Sequence, residues 1–224
     1  MRGLLFSFTM FLFSCQQDEP QVHHFKKTIV QPINKNNPYD SLGMLHNTLI
    51  DNYWLSGSNH FTPIEIGNIV NTLIADLDTL PQTTIPLDSS FSELIQLIIS
   101  YPEQNLDSIT LNTSLSVIAR QELNNFIELI AVANLTDYNT TCNLILSFED
   151  EISGTNSLDA EDKRIILTVT SIFKYSLAYD EGRKDKDWEV SVGCIVAASY
   201  GAIHSAQDAL LIEITSEILL NNKP

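Results

Sequence analysis

The residues best equipped for chemistry sit in one short run, Asn37-Pro38-Tyr39-Asp40-Ser41-Leu42-Gly43-Met44-Leu45-His46-Asn47. Tyr39 and His46 are seven residues apart, two helical turns, so they share a helix face. Asp40 and Asn47 each follow one of them. Tyr39, Asp40, His46 and Asn47 are therefore candidate binding residues, able to grip a ligand edge or to satisfy one another. A phenol, an imidazole and a carboxylate together are also the parts of an acid–base site, which keeps open a hydrolase working in a cleft near this run. The familiar catalytic patterns are missing from the chain. It has no Gly-x-Ser-x-Gly elbow, no His-Glu-x-x-His, no paired-Cys metal spacing, no phosphate loop and no dinucleotide fingerprint. No catalytic residue, metal ligand or cofactor is assigned. His23 and His24 are adjacent, which is not a ligand pair on one helix face. Ser58 and His60 make no triad, and Asp185, Asp187 and Glu189 lack the glycine and spacing of a calcium loop.

A second pattern is geometric. Gly193, Ala197, Gly201, Ser205 and Ala209 recur every fourth residue, forming a small-residue ridge that lets two helices approach closely. A tightly packed core helix is one use of such a ridge. Self-association or membrane insertion is the other, although His204, Gln207 and several serines make the stretch a poor span. Cys142 and Cys194 lie in apolar helical surroundings and read as buried small side chains, with pairing open in an oxidising compartment.

The start of the chain carries an address. Arg2 precedes an apolar run to Phe13 that is too short to cross a hydrocarbon core about 30 Å thick, the form of a secretory leader. Leu12-Phe13-Ser14-Cys15 resembles the lipobox of bacterial lipoproteins, which implies cleavage before Cys15 and lipid on its sulfur and amine. Several acyl chains on one residue anchor stably, each buried methylene contributing about 0.8 kcal/mol. Gln16-Gln17-Asp18-Glu19 resembles the acidic export signal of surface lipoproteins in Bacteroidota. The run Asn37 to Asn47 fits NPYD-x-x-G-x-x-HN and resembles a group of uncharacterised Bacteroidota lipoproteins carrying that motif near the mature N-terminus. The resemblance implies an outer-membrane, lipid-anchored protein facing the periplasm or the surface, and it supplies no mechanism. Asp40-Ser41-Leu42, Asp78-Thr79-Leu80 and Asp107-Ser108-Ile109 resemble short periplasmic O-glycosylation acceptors of the same bacteria.

Composition narrows the partners. Between Asn36 and Asp162 eighteen Asp and Glu face a single Arg, Arg120, which accounts for the net charge of −16. Such a surface repels phosphate backbones and anionic headgroups, so no nucleic-acid partner is expected and the membrane is met only through lipid on Cys15. A hydrophobic content of 44% over 224 residues supports one sizeable core.

Periodicity then supplies the elements. Asn37-Pro38 is expected to open a first helix with Tyr39, Leu42, His46, Leu49, Ile50 and Tyr53 on one face, ending at Ser56-Gly57-Ser58. Thr62-Pro63-Ile64-Glu65 is a capping box, with Phe61 and Ile66 as its staple. Ser90-Phe91-Ser92-Glu93 reads as a second box. Helical periods follow over 114–134, 137–152 and 159–179, then a charged loop over 180–187 and helix over 188–221, with room for a break. No segment alternates with period two. The expected architecture is all-α: a leader over 1–14, a lipidated flexible tether over 15–36, and a single irregular bundle of seven or eight helices over 37–224. The expected function is a lipid-anchored binding module for a protein or glycan ligand. A cell-envelope hydrolase and a membrane-active or self-associating protein are the alternatives.

Overall fold

The computed structural model describes residues 33–57, 62–77, 80, 83–102, 115–133, 138–180 and 188–221. The proposed leader, Cys15, the Phe61 staple, Asp78-Thr79, Asp107-Ser108-Ile109 and the loop over 181–187 lie outside them. The described residues form eight helices and no strand: α1 Asp40–Leu55, α2 Pro63–Ala75, α3 Ser89–Ser100, α4 Val117–Val132, α5 Tyr138–Gly154, α6 Ala160–Asp180, α7 Trp188–His204 and α8 Ala206–Asn221. The protein is an all-α bundle.

Three helices make its centre. Every residue from 165 to 178 in α6, 191 to 199 in α7 and 207 to 218 in α8 is buried. A helix enclosed on all sides needs no polar face, and α7 and α8 are accordingly apolar around much of their circumference. α7 and α8 pack as a hairpin; α6 lies on α7, α1 on α6, α2 on α8 and α5 on α6. Phe126 of α4 stacks at 5.2 Å on Phe148 of α5 and meets Phe173 of α6 edge-on at 5.8 Å, tying the outer pair to the centre.

Local chemistry fixes the ends. Thr62 caps α2 as its sequence demands: its hydroxyl accepts from Glu65 N–H, Pro63 takes the first position, and Thr62 also bonds the Glu65 carboxylate at 2.7 Å. At α3 the cap is Asp88, whose carboxylate accepts from the Ser90 and Phe91 amides, so the helix begins earlier than the Ser90 box implied. α1 also departs from expectation. Asn37 does not cap it; Asn37 Oδ1 accepts from Tyr39 N–H in a turn, and the helix starts at Asp40. The folded body likewise begins before residue 37. Asn34 is buried and donates to Glu149 at 3.0 Å, and Asn36 donates to Asp150 at 3.1 Å, so residues 34–36 are docked on α5 rather than belonging to a free tether.

The small-residue ridge does not continue along one helix. The chain turns at Ser205, whose hydroxyl accepts from Asp208 N–H and donates to the Asp208 carboxylate, capping α8. A Cβ at Gly201 would run into the backbone of Asp208 and Ala209, and one at Gly193 would press on Leu220 at 3.3 Å. Gly193 and Gly201 thus face α8 of the same chain, Ala197 and Ala209 are fully buried, and the ridge serves the α7–α8 hairpin. Asp208 also accepts from the Thr84 amide and hydroxyl, tethering the segment before α3 to the head of α8.

Candidate functional site

Two polar centres lie inside this apolar body, both anchored by α1. Gly43 lets α1 approach α6: its amide donates to Ser171 Oγ, and any side chain there would overlap the Tyr175 ring and the Ser171 carbonyl. Asp40 sits nearly one turn before Gly43 and His46 nearly one turn after it. The crossing point therefore aims both side chains into the interior.

The first centre is built on Lys174. Its Nζ lies 2.8 Å from Asp40 Oδ1 and 2.6 Å from Glu149 Oε2, and Lys174 and Glu149 are wholly buried. Glu149 also accepts from Asn37 Nδ2 and Thr170 Oγ1 on one oxygen and from Asn34 Nδ2 on the other. Tyr175 donates its hydroxyl to Asp40 Oδ2 at 2.9 Å. Burial and the adjacent Asp40 carboxylate push the Tyr175 phenol far above its ordinary range, so it stays a donor. Two carboxylates against one ammonium leave a single negative charge, spread over a dense set of neutral donors. Such a network holds only when its members are satisfied, and it locks α1, α5, α6 and the segment before α1 together.

The second centre is built on His46, which is wholly buried. Its Nε2 lies 2.5 Å from Glu213 Oε2 and 3.3 Å from Glu217 Oε2. Glu213 and Glu217 are one turn apart on α8 and project from the same face. Ser176 of α6 donates to Glu217 Oε2 at 2.9 Å. Asn47 orients the ring. Its Nδ2 donates to the Tyr175 carbonyl, which turns Oδ1 toward His46 Nδ1 at 2.9 Å. Nδ1 then carries a proton, and Nε2 faces the carboxylates. Burial alone would favour the neutral ring, but the charges and hydrogen bonds of Glu213 and then Glu217 override it and raise the His46 pKa well above 6.5.

The four binding candidates are thus divided. Asp40 belongs to the lysine centre, His46 and Asn47 to the histidine centre, and all three are buried rather than presented on a ligand-binding surface. Tyr39 is half-buried against the core. The outward side of α1 carries Met44, Trp54 and Leu55 instead. A shallow open depression along α3, lined by Ser92, Glu93, Gln96, Leu97, Ser100 and Tyr101, shares no residue with either centre. Cys142 and Cys194 are separate buried thiols and form no disulfide.

Lys174, Glu149, Glu213 and Glu217 were not singled out by motif or spacing. The signal that marks three of them is context. Lys174 interrupts the uncharged run from Ile165-Ile166-Leu167 through Ile172-Phe173 to Leu177-Ala178, and Glu213 and Glu217 interrupt Leu210-Leu211-Ile212-Glu213-Ile214-Thr215-Ser216-Glu217-Ile218. A charge within a helix that is apolar all round must be buried, and a buried charge must have partners. Glu149, in the mixed sequence Phe148-Glu149-Asp150-Glu151, has no such mark.

No family model matches this chain, and no curated protein or solved structure matches it either. Among the described residues no helix is long and apolar enough to cross a membrane.

Proposed function

We propose that the chain is a lipid-anchored protein of a bacterial outer membrane whose helical body is a non-enzymatic binding module for a protein or glycan. The observation that carries the anchor is Leu12-Phe13-Ser14-Cys15 behind a short apolar run with a single leading Arg. The binding reading draws support from where the reactive side chains go. The imidazole, the lysine and four carboxylates that could serve acid–base chemistry are spent inside, bonded to one another across α1, α5, α6 and α8. A hydrolase built on these groups would need at least one of them to meet substrate. The hairpin's use of Gly193 and Gly201 likewise weighs against a membrane-active role for the ridge.

The test is metabolic labelling with a palmitate analogue in a bacterial host, comparing wild type with Cys15→Ala. Label on the wild type, and its loss together with release of the substituted protein from the membrane fraction, is the expected result. Equal fractionation of the two proteins with no label on either overturns the anchor.

A further inference from the structure

We propose that His46, Glu213 and Glu217 form a structural binding site for a divalent transition ion of the zinc type. This assignment stands apart from the lipid anchor and needs nothing from it. One imidazole nitrogen and one oxygen from each carboxylate lie within 4.8 Å of one another. Around a tetrahedral zinc with ligand bonds near 2.0–2.2 Å, neighbouring ligand atoms are about 3.4 Å apart. The 3.3 Å between Nε2 and Glu217 Oε2 already has that spacing, and the 2.5 Å to Glu213 Oε2 needs to open by less than about 1 Å to reach it.

The surroundings fit a ligand set. Metal-binding histidines characteristically donate the other ring N–H to a fixed oxygen, which sets the tautomer and the ring plane. Here Asn47 Oδ1 accepts from His46 Nδ1, with Asn47 itself fixed by its bond to the Tyr175 carbonyl, and Nε2 is left aimed at the two carboxylates. Ser176 holds Glu217 from a third helix. The site is enclosed, with all three side chains 0–1% exposed, and one imidazole with two carboxylates offers a divalent ion an anionic donor set.

The donor types select among ions. Calcium and magnesium favour six or more oxygens, many of them water. One imidazole with two carboxylates suits zinc, and also cobalt or iron in the divalent state. The chain supplies three ligands, so a four-coordinate ion would take a water or a second carboxylate oxygen as its fourth, and the enclosure of the site speaks for a structural rather than a catalytic ion. Bound there, the ion would staple α1 to α8 through the core, and its binding free energy would count as folding free energy.

The experiment uses the full chain purified without chelator. Its metal content is measured by elemental mass spectrometry. The protein is then unfolded with EDTA, refolded without metal, and titrated with Zn2+ and with Co2+. Thermal melts follow stability, and the visible d–d band of Co2+ reports four-coordinate binding. Refolded wild type is expected to take up one equivalent of Zn2+, to gain about 5 °C or more in Tm over the EDTA-treated form, and to show the Co2+ band. Glu217→Gln should abolish the band and the Zn2+-dependent gain. Asn47→Ser, which removes no ligand, should weaken Zn2+ binding about 10- to 100-fold. If refolded wild type takes up neither ion stoichiometrically and its Tm is the same in EDTA and Zn2+, the cluster is a proton-sharing network and the assignment fails. Should either variant not fold, the wild-type uptake, melt and Co2+ spectrum decide alone.

Discussion

The lysine centre and the histidine centre are built alike and balanced differently. Each joins α1 to α6 and a further helix, and each sets two carboxylates against one nitrogen base. In the first the base is an ammonium, and Asn34, Asn37, Thr170 and Tyr175 share the carboxylate oxygens with it. In the second the base is a ring that takes or releases a proton, and both carboxylates converge on its one inward nitrogen. An ammonium held between two carboxylates that neutral donors also bond is a finished structural joint. A titratable ring facing two acids admits more than one occupant. The same fold thus holds one charge cluster closed and another that can respond to its surroundings.

Removing the lysine should produce the largest effect. Lys174→Met keeps the length of the side chain but strands Asp40 and Glu149 in the core, and breaking a buried pair this way costs about 3–5 kcal/mol. Urea unfolding of the EDTA-treated protein should show the loss. Adding Asp40→Asn and Glu149→Gln to Lys174→Met should recover a large part of it, because the remaining groups are neutral and still hydrogen-bonded. A triple variant no more stable than the single one would mean that the lysine acts through packing and not through charge. His46→Gln in the same metal-free protein should cost less, about 1–3 kcal/mol, since the Gln amide can still donate to a carboxylate where the ring stood, which Met at position 174 cannot do. A His46→Gln loss equal to that of Lys174→Met would erase the distinction between the centres.

Gly43→Ala tests what the two centres share. A methyl group would overlap Tyr175 and the Ser171 carbonyl, and overpacking of this kind costs about 1–3 kcal/mol. Since Asp40 and His46 flank the crossing, the shift of α1 should disturb both. Ser205→Ala acts on α8 alone. Loss of this cap should cost about 1 kcal/mol without changing the response of the protein to Lys174→Met.

The helices were legible in the sequence because burial and capping leave local marks. Thr62-Pro63-Ile64-Glu65 gave the start of α2 to the residue, and the period of Leu115, Ile118, Leu123, Phe126, Ile127 and Ile130 marked α4, with Leu123, Phe126 and Ile130 inward, Ile127 half-buried and Ile118 exposed. Where two residues compete for a cap, the pattern was less decisive: Asp88 displaced Ser90, and Asn37 turned its amide toward Glu149 instead of capping α1. The ridge was legible as close packing but not as a corner. Ser205-Ala206-Gln207-Asp208 could have been read as a helix start, yet the four-residue spacing runs unbroken through it. The centres were half legible. His46, Asn47 and Asp40 stand out by type, but their partners lie more than 100 residues away in sequence. No spacing rule spans that gap; only the fold closes it.

The smallest effect offers the most local view of the lysine centre. Cys142 lies beside it on α5, with Lys174 and Glu149 among the charges it feels. Burial pushes its thiol above the ordinary 9.0, with the hydrogen bond from Tyr138 and the charge of Lys174 pulling the other way. At pH 8 the sulfur is therefore protonated and enclosed, and a thiol reagent reaches it only when the structure opens. Cys142 and Cys194 should both stay unreacted in the native protein and both react once it is denatured. Labelling followed by peptide mapping separates them. Lys174→Met should raise the Cys142 rate several-fold by opening the α5–α6 joint; the loss of the cation itself acts the other way, since the Lys174 charge lowers the thiol pKa. His46→Gln, acting between α1 and α8, should leave the Cys142 rate nearly unchanged. Equal acceleration by the two substitutions would show that the centres open together, as parts of one cooperative core rather than as two separate joints.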